Sequence, residues 1–299
     1  MSNAFTAVDL STLAAPEIIE ALDYDTILAD MVADLIARDS TFTALVESDP
    51  AYKILEVAAY REYLIRQRVN EAAQALLLAY ATNADLDQIG ATYDVGRLTI
   101  TEADATTVPP TAAVMESDAD YRARIQQSFE GYTTAGSVGA YQFFALSADG
   151  DVADVSITTP QPGTVLVCVL SRTGSGAAGS TLLSTVTAAL NAEDVRPLCD
   201  TVLVQSATIL NYSISATLDI YASVDQDAVL AIAQASAQAY ADSVHKCGQA
   251  PTLAGIYAAL FVTGVQNVIL SAPGIQADMA ADDTQASYCT GITLASVAV

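Results

Sequence analysis

Between Glu116 and Gly163 the chain changes its hydrophobic period, and that change limits what it can fold into. Tyr121, Ile125 and Phe129 recur every four residues, the spacing of one helix face, and Ser117 with Asp120 makes a weak capping box ahead of them. Gly131 and Gly136 bracket a loop, after which Ser137 caps a second helix whose Tyr141, Phe144, Ala145 and Ala148 point one way. Val152, Val155 and Ile157 open a strand that Pro160 and Pro162-Gly163 end. A helical part therefore gives way here to a part with strands.

Upstream, residues 1–15 read as an arm stopped by Pro16, and residues 16–98 as a helical region. Ile27, Met31 and Leu35 form one row of a helix over residues 25–38. Asp49-Pro50 starts a long helix, with proline at its first position, which is expected to run to about Ala81. Its stripe of Ile65, Val69, Ala72, Leu76 and Ala79 steps by four and three, as a helix-pairing seam does. Only about two heptads are regular, so the stripe points to a bundle or subunit interface rather than a free-standing coiled coil. Asn83 is placed to cap a short helix that stops at Asp94-Val95-Gly96, and residues 99–115, with Pro109-Pro110, read as an extended linker.

Downstream, strands over Thr164–Ser171 and Thr201–Ser206 flank a helix over 181–192. A longer strand at 208–221 sets Ile214, Ala216, Leu218 and Ile220 against Ser213, Ser215, Thr217 and Asp219. Helices over 226–243 and 252–262, a strand over Val265–Leu270 and a last strand at Ile292–Leu294 complete the pattern. The fold class is α+β, a helical N-terminal region followed by two small α+β domains at 116–206 and 207–299. A short internal repeat accompanies this: residues 139–146 lead through a strand to Pro162-Gly163, and residues 255–262 lead likewise to Pro273-Gly274.

Hydrophobic residues at 52% and charged residues at 15% exclude a disordered chain. A net charge of −24 opposes binding to nucleic acid or to an anionic membrane surface, because phosphate contact needs clustered cations. Of the Lys and Arg residues only Arg172, Arg196 and Lys246 follow residue 125, so acidic faces of one subunit could meet basic faces of another and set orientation in an assembly. No apolar run reaches the ~18 residues of a membrane span, and residues 1–15 lack the pattern of a signal peptide, so folding in the cytoplasm is expected.

Signals for chemistry are sparse. Cys168, Cys199, Cys247 and Cys289 are scattered, and His245-Lys246-Cys247, the one place where His and Cys are close, lacks the further ligands of a zinc site and reads as a solvated helix end. Asp149, Asp151 and Asp154 read as solvated turn acids, since an EF-hand loop needs a Gly and a distal Glu that this stretch does not supply. Residues 174–179 match G-x-G-x-x-G between a strand and a helix, which keeps a dinucleotide-binding enzyme as an alternative. The match is short: two residues separate strand from first glycine, and Asp200 would begin the next strand rather than end it. The expectation is a protein that is not an enzyme and takes no cofactor or metal.

Four stretches carry a family resemblance: NADLDQIGATYDVGR at 83–97, ESDADYRARIQQSFEGYTTAGSVGAYQFFALSADGDVADVSI at 116–157, PGTVLVCVLSRTGSG at 162–176 and RPLCDTVLVQSATILNYSISATLDIY at 196–221. The chain resembles the baseplate assembly protein J family of contractile phage tails, R-type tailocins and related injection systems. The resemblance implies a structural role in the virion tail baseplate, assembled in the host cytoplasm. Two copies would pair with a tail protein I-like subunit in each wedge, wedges would close around the central hub and spike, and a small W-type sheath-initiating protein would sit nearby. It implies that Ile65, Val69, Ala72, Leu76 and Ala79 join an intersubunit bundle and that the C-terminal unit adds ring or dimer contacts. Gly131, Gly136 and Gly139 would form an interdomain hinge, and no catalytic residue carries over. A receptor-binding tail component, usually an elongated glycan-binding trimer, fits alternating helices and strands poorly.

Overall fold

The computed structural model describes residues 8–14, 16–42, 45–133 and 135–299. Contacts divide the chain into two compact units. One holds the described residues from Val8 to Gly96 together with Asp118–Ile125, and the other holds Arg97–Ser117 together with Gln126–Val299.

The first unit is helical. Asp23 accepts the N–H of Thr26 to start α1 (Tyr24–Arg38), and Asp49 accepts the N–H of Ala51 to start α2 (Pro50–Ala75), with Pro50 in the first turn. Ile27 and Leu28 of α1 pack on Ala59 of α2, and Tyr24, Met31, Val32, Tyr52, Leu55 and Tyr63 close around them. Ala59 is fully buried, and its small side chain sits at the contact between the helices. The long helix stops at Ala75 and not near Ala81: Leu76 is its C-cap, and N–H groups of Leu77, Tyr80 and Ala81 turn back on Gln74 and Leu77. In α3 (Asn83–Thr92) the N-cap is Thr82, and Asn83 is the first helical residue, with φ +49. Of the arm expected over 1–15, residues 1–7 and 15 lie outside the described residues; Leu10–Thr12 makes one 3-10 turn capped by Asp9. The first two turns of α4 (Asp118–Gly131) belong to this unit, where Tyr121 and Ile125 are buried. Phe129, expected on the same buried row, is 60% exposed and lies against the Tyr132 ring at 6.5 Å.

The second unit opens with an antiparallel ribbon of β1 (Thr99–Thr101) and β2 (Val114–Met115), extended by an Asp104–Thr111 bridge, so the stretch read as a linker pairs with itself. A central lobe follows: α5 (Val138–Ala148), β3 (Val152–Gln161), β4 (Thr164–Ser171), α6 (Ser180–Leu190) and β5 (Thr201–Ser206). Its sheet runs β3-β4-β5, antiparallel then parallel, and Val155, Val167 and Val169 meet Tyr141, Ala145, Leu182, Val186 and Leu190.

A C-terminal lobe repeats the plan with β6 (Thr208–Ile220), α7 (Gln226–Val244), α8 (Leu253–Leu260), β7 (Val265–Leu270) and β8 (Gln285–Ala298). The sheet order is β7-β6-β8, again one antiparallel and one parallel neighbour about the centre strand. Alternation along β6 buries Tyr212, Ile214, Ala216, Leu218 and Ile220 against Val229, Ala233, Ala237, Ile256 and Leu260. The sequence repeat corresponds to α5–β3 and α8–β7, each a helix leading into the antiparallel edge strand of its sheet. The last strand is 14 residues long and not the short Ile292–Leu294 segment, because it pairs along the whole of β6. Eight α-helices and eight strands among the described residues make the architecture α+β.

Candidate functional site

On α2 the side facing away from α1 is apolar. Ile54, Val57, Tyr60, Leu64, Ile65 and Val69 are exposed there, with Ile65 at 66% and Val69 at 51%. At 100° per residue they share one half of the helix with Lys53, Arg61, Arg68 and Glu71, opposite the buried Ala59. Apolar side chains grouped in this way form an exposed apolar patch, unlike single scattered ones. Of the predicted stripe, Ile65, Val69 and Ala72 lie on this face. Leu76 is the exposed C-cap, at 81%, and Ala79 falls in the turns beyond the helix end. The ion pairs on α2, Lys53–Glu56, Arg66–Glu62 and Arg68–Glu71, are all surface pairs and add little to stability.

Two of the stretches quoted above lock to one another. Tyr121 donates its hydroxyl to the Val95 carbonyl at 2.6 Å, and Arg124 donates to the Gly96 carbonyl at 2.6 Å with its guanidinium 5.5 Å from the Tyr121 ring. Arg122 donates to the carbonyls of Leu78 and Ala81, both at 2.6 Å, in the turns between α2 and α3. Asp118 accepts the N–H of Asn83 at 3.0 Å. Gly90 has no room for a Cβ, which would lie 2.7 Å from the Val95 carbonyl and against the Tyr121 ring. In the sequence Arg122 and Arg124 count only as charges, because the Leu78, Ala81 and Gly96 carbonyls they bond lie in turns that carry no local signal for an arginine.

The predicted hinge glycines sit in a packed corner. A Cβ on Gly131, the last residue of α4, would be 2.6 Å from the Phe143 ring, and one on Gly139 would be 2.5 Å from the Glu130 carboxylate. Gly136 has φ +69, and its Cβ would be 2.6 Å from Pro197. Thr134 lies outside the described residues. Ser137 caps α5 as expected, accepting from Ala140 N–H at 3.2 Å. Tyr141 donates to the Asp200 carboxylate at 2.8 Å, and burial together with that bond raises its phenol well above the ordinary value. Asp200 is thereby committed to Tyr141.

In the G-x-G-x-x-G loop packing explains the middle glycine, whereas a Cβ on Gly174 or Gly179 would meet nothing within 4 Å. Gly176 has φ +95, and a Cβ there would be 2.6 Å from Leu170 and 2.9 Å from the imidazole of His245. Its carbonyl accepts from Ser171 N–H at 2.8 Å. His245 is not a solvated helix end: its Nδ1 donates to the Ser287 carbonyl at 2.5 Å and its ring lies 5.5 Å from Tyr288. The aspartates of the 149–154 turn are also not merely solvated. Asp149 accepts Asp151 N–H, Asp151 accepts the Ser171 hydroxyl, and Asp154 accepts Cys247 N–H at 2.9 Å. Cys247 lies beside Cys168, and that thiol contact with burial holds the Cys247 thiol far above its ordinary value. Among the described residues no cluster of three His, Cys, Asp or Glu side chains could hold a metal ion, and no helix is long and apolar enough to cross a membrane.

What these residues define is a protein of packed corners and open apolar surfaces, whose polar groups are spent on backbone carbonyls and N–H groups. Residues 47–104 match the Baseplate J-like N-terminal domain, and residues 133–206 match the Baseplate J-like central domain. The chain is 51% identical over 290 residues to baseplate protein J of Escherichia phage P2, covering 95% of each chain. It belongs to the baseplate J-like family.

Proposed function

We propose that the chain is a structural wedge subunit of a contractile phage-tail or tailocin baseplate, forming part of the ring around the central hub and spike and rearranging on contraction. The 51% identity to baseplate protein J of Escherichia phage P2, across nearly the full length of both chains, carries this reading. The partners are a second copy, a tail protein I-like wedge subunit and a W-type sheath-initiating protein, met in the virion after assembly in the host cytoplasm. The outer face of α2 supports a helix-in-bundle contact at Ile65, Val69 and Ala72, with Leu76 and Ala79 at its end. Burying each Val or Ile there contributes about 1.5–3 kcal/mol. Gly131, Gly136 and Gly139 are the corner where α4 and α5 would change angle on firing, a rearrangement between packed alternatives rather than a loose joint.

Co-expression with the I-like and W-type proteins tests this. The chain is expected to elute in one complex with them and to be found by immunogold labelling at the tail tip. A chain that ignores both partners at high concentration, in particles that contract without it, would overturn the reading.

A further inference from the structure

We infer that Cys168 and Cys247 are a redox-active pair, which a peroxide closes to a disulfide that staples the central lobe to the C-terminal lobe. The inference rests on the geometry of the seam between these lobes, independently of the baseplate reading.

The two thiols approach the seam from opposite sides. Cys168 lies in β4, the middle strand of the central sheet, between Ser156 of β3 and Gln205 of β5, and is 1% exposed. Cys247 follows the end of α7 in the C-terminal lobe and is part-exposed. Its N–H donates to the Asp154 carboxylate of β3 at 2.9 Å, and its backbone bridges Ala286 of β8. Its sulfur is 4.0 Å from the Cys168 carbonyl oxygen and packs on the apolar cluster of Cys168, Leu170, Ala207 and Ala286. The Cys168 sulfur reaches the other way, to 3.5 Å from the Thr284 carbonyl oxygen, and Ser156 donates to the Asp283 carbonyl beside it. Both backbones are therefore held before any reaction, and the sulfurs need little ordering to meet.

A single buried thiol is a small apolar side chain. Two in contact share a proton. The Cys247 thiol donates to the Cys168 sulfur, which draws the Cys168 thiol below its ordinary value and holds Cys247 above its own. The pair gives up its first proton more readily than an isolated thiol and keeps the second. That second proton lies between the sulfurs, so the negative charge can move to Cys247, the sulfur that solvent reaches.

The chemistry balances with hydrogen peroxide as the two-electron oxidant. The Cys247 thiolate attacks one peroxide oxygen, the O–O bond breaks, hydroxide leaves and Cys247 becomes a sulfenic acid. The Cys168 sulfur then attacks the Cys247 sulfur. The S–S bond forms, the S–O bond breaks, and the departing hydroxide takes the Cys168 proton and leaves as water. A reducing cytosol keeps the pair as thiols, and an oxidising medium drives closure.

The test treats the purified full chain with hydrogen peroxide, alkylates the remaining thiols and maps the peptides without reduction. Cys168 is expected joined to Cys247, with the chain lighter by two hydrogens and its four free thiols reduced to two. Cys199→Ser removes the exposed thiol that would link copies. In that background the oxidised chain should melt about 5–10 °C above the reduced one, because the bond closes a loop of about 80 residues. Dithiothreitol should abolish the difference. Cys168→Ala and Cys247→Ala should each lose it, and Cys289→Ala should keep it. Mapping of the wild-type chain keeps the proposal testable if a variant folds poorly. Thiols that survive the peroxide, that pass to sulfinic or sulfonic acids without a cross-link, or that pair through Cys199 or Cys289 would overturn it. So would a Cys168–Cys247 bond that leaves the melting temperature unchanged. All of these outcomes leave the baseplate reading standing.

Discussion

At the residue level the first unit is held by side chains that answer backbone carbonyls across long stretches of sequence. Arg122 takes two such carbonyls, and a lysine could not span both with one planar fork. Arg122→Lys is therefore expected to lower stability by about 1–3 kcal/mol, the worth of a charged hydrogen bond left unmade, read from the midpoint of urea unfolding. Gly90→Ala pushes a methyl against the Val95 carbonyl, which is backbone and cannot swing away, and should cost about 1–3 kcal/mol by the same measurement. Asp154 gives a pH-dependent counterpart. Burial raises its carboxyl above 3.8, outweighing the Cys247 N–H bond and the nearby Lys246 and His245 charges that lower it. A carboxyl raised on folding costs stability wherever the unfolded chain would ionise it. Its penalty is absent below the unfolded value, grows as pH rises through the folded value and is constant above that. Asp154→Asn keeps an oxygen to accept from Cys247 and removes the penalty. The variant should gain on the wild type between acid and neutral pH, and melting curves that stay parallel at every pH would contradict this.

At the level of elements, α2 has two faces with different consequences. Val69→Asp on the outer face is expected to change the stability of the free chain by no more than about 0.5 kcal/mol, as surface changes do. It should nevertheless abolish elution with wedge partners. Ala59→Leu on the inner face overpacks the contact with Ile27 and Leu28 and should destabilise by about 1–3 kcal/mol, read in the melting temperature of the purified chain. The start of α2 was legible in Asp49-Pro50, because caps and first-turn prolines act locally. Its end was not. The run from Ala72 to Ala81 reads as good helix throughout, yet the helix stops at Ala75, and the turns after it are held by Arg122, 41 residues or more away, through the Leu78 and Ala81 carbonyls. The length of β8 was hidden for the same kind of reason. Gly291 and the alanines weaken its local signal, and pairing with β6 supplies the strand. The α2 stripe was legible as far as Ala72 because helical period is local, while the edge position of β8 depends on a sheet order that no single segment encodes.

For the whole molecule the governing quantity is charge. Most carboxylates as well as most cations precede residue 126, so neither part of the chain offers a net basic partner for the other's acidic face. Contact between copies can then only be local, between acidic faces and small basic patches such as Arg61 and Arg68 on α2. Between about 0.02 and 0.3 M salt the Debye length falls from roughly 20 Å to about 6 Å. Association through such patches is expected to weaken over that range, and sedimentation of the purified chain at the two salt concentrations checks it.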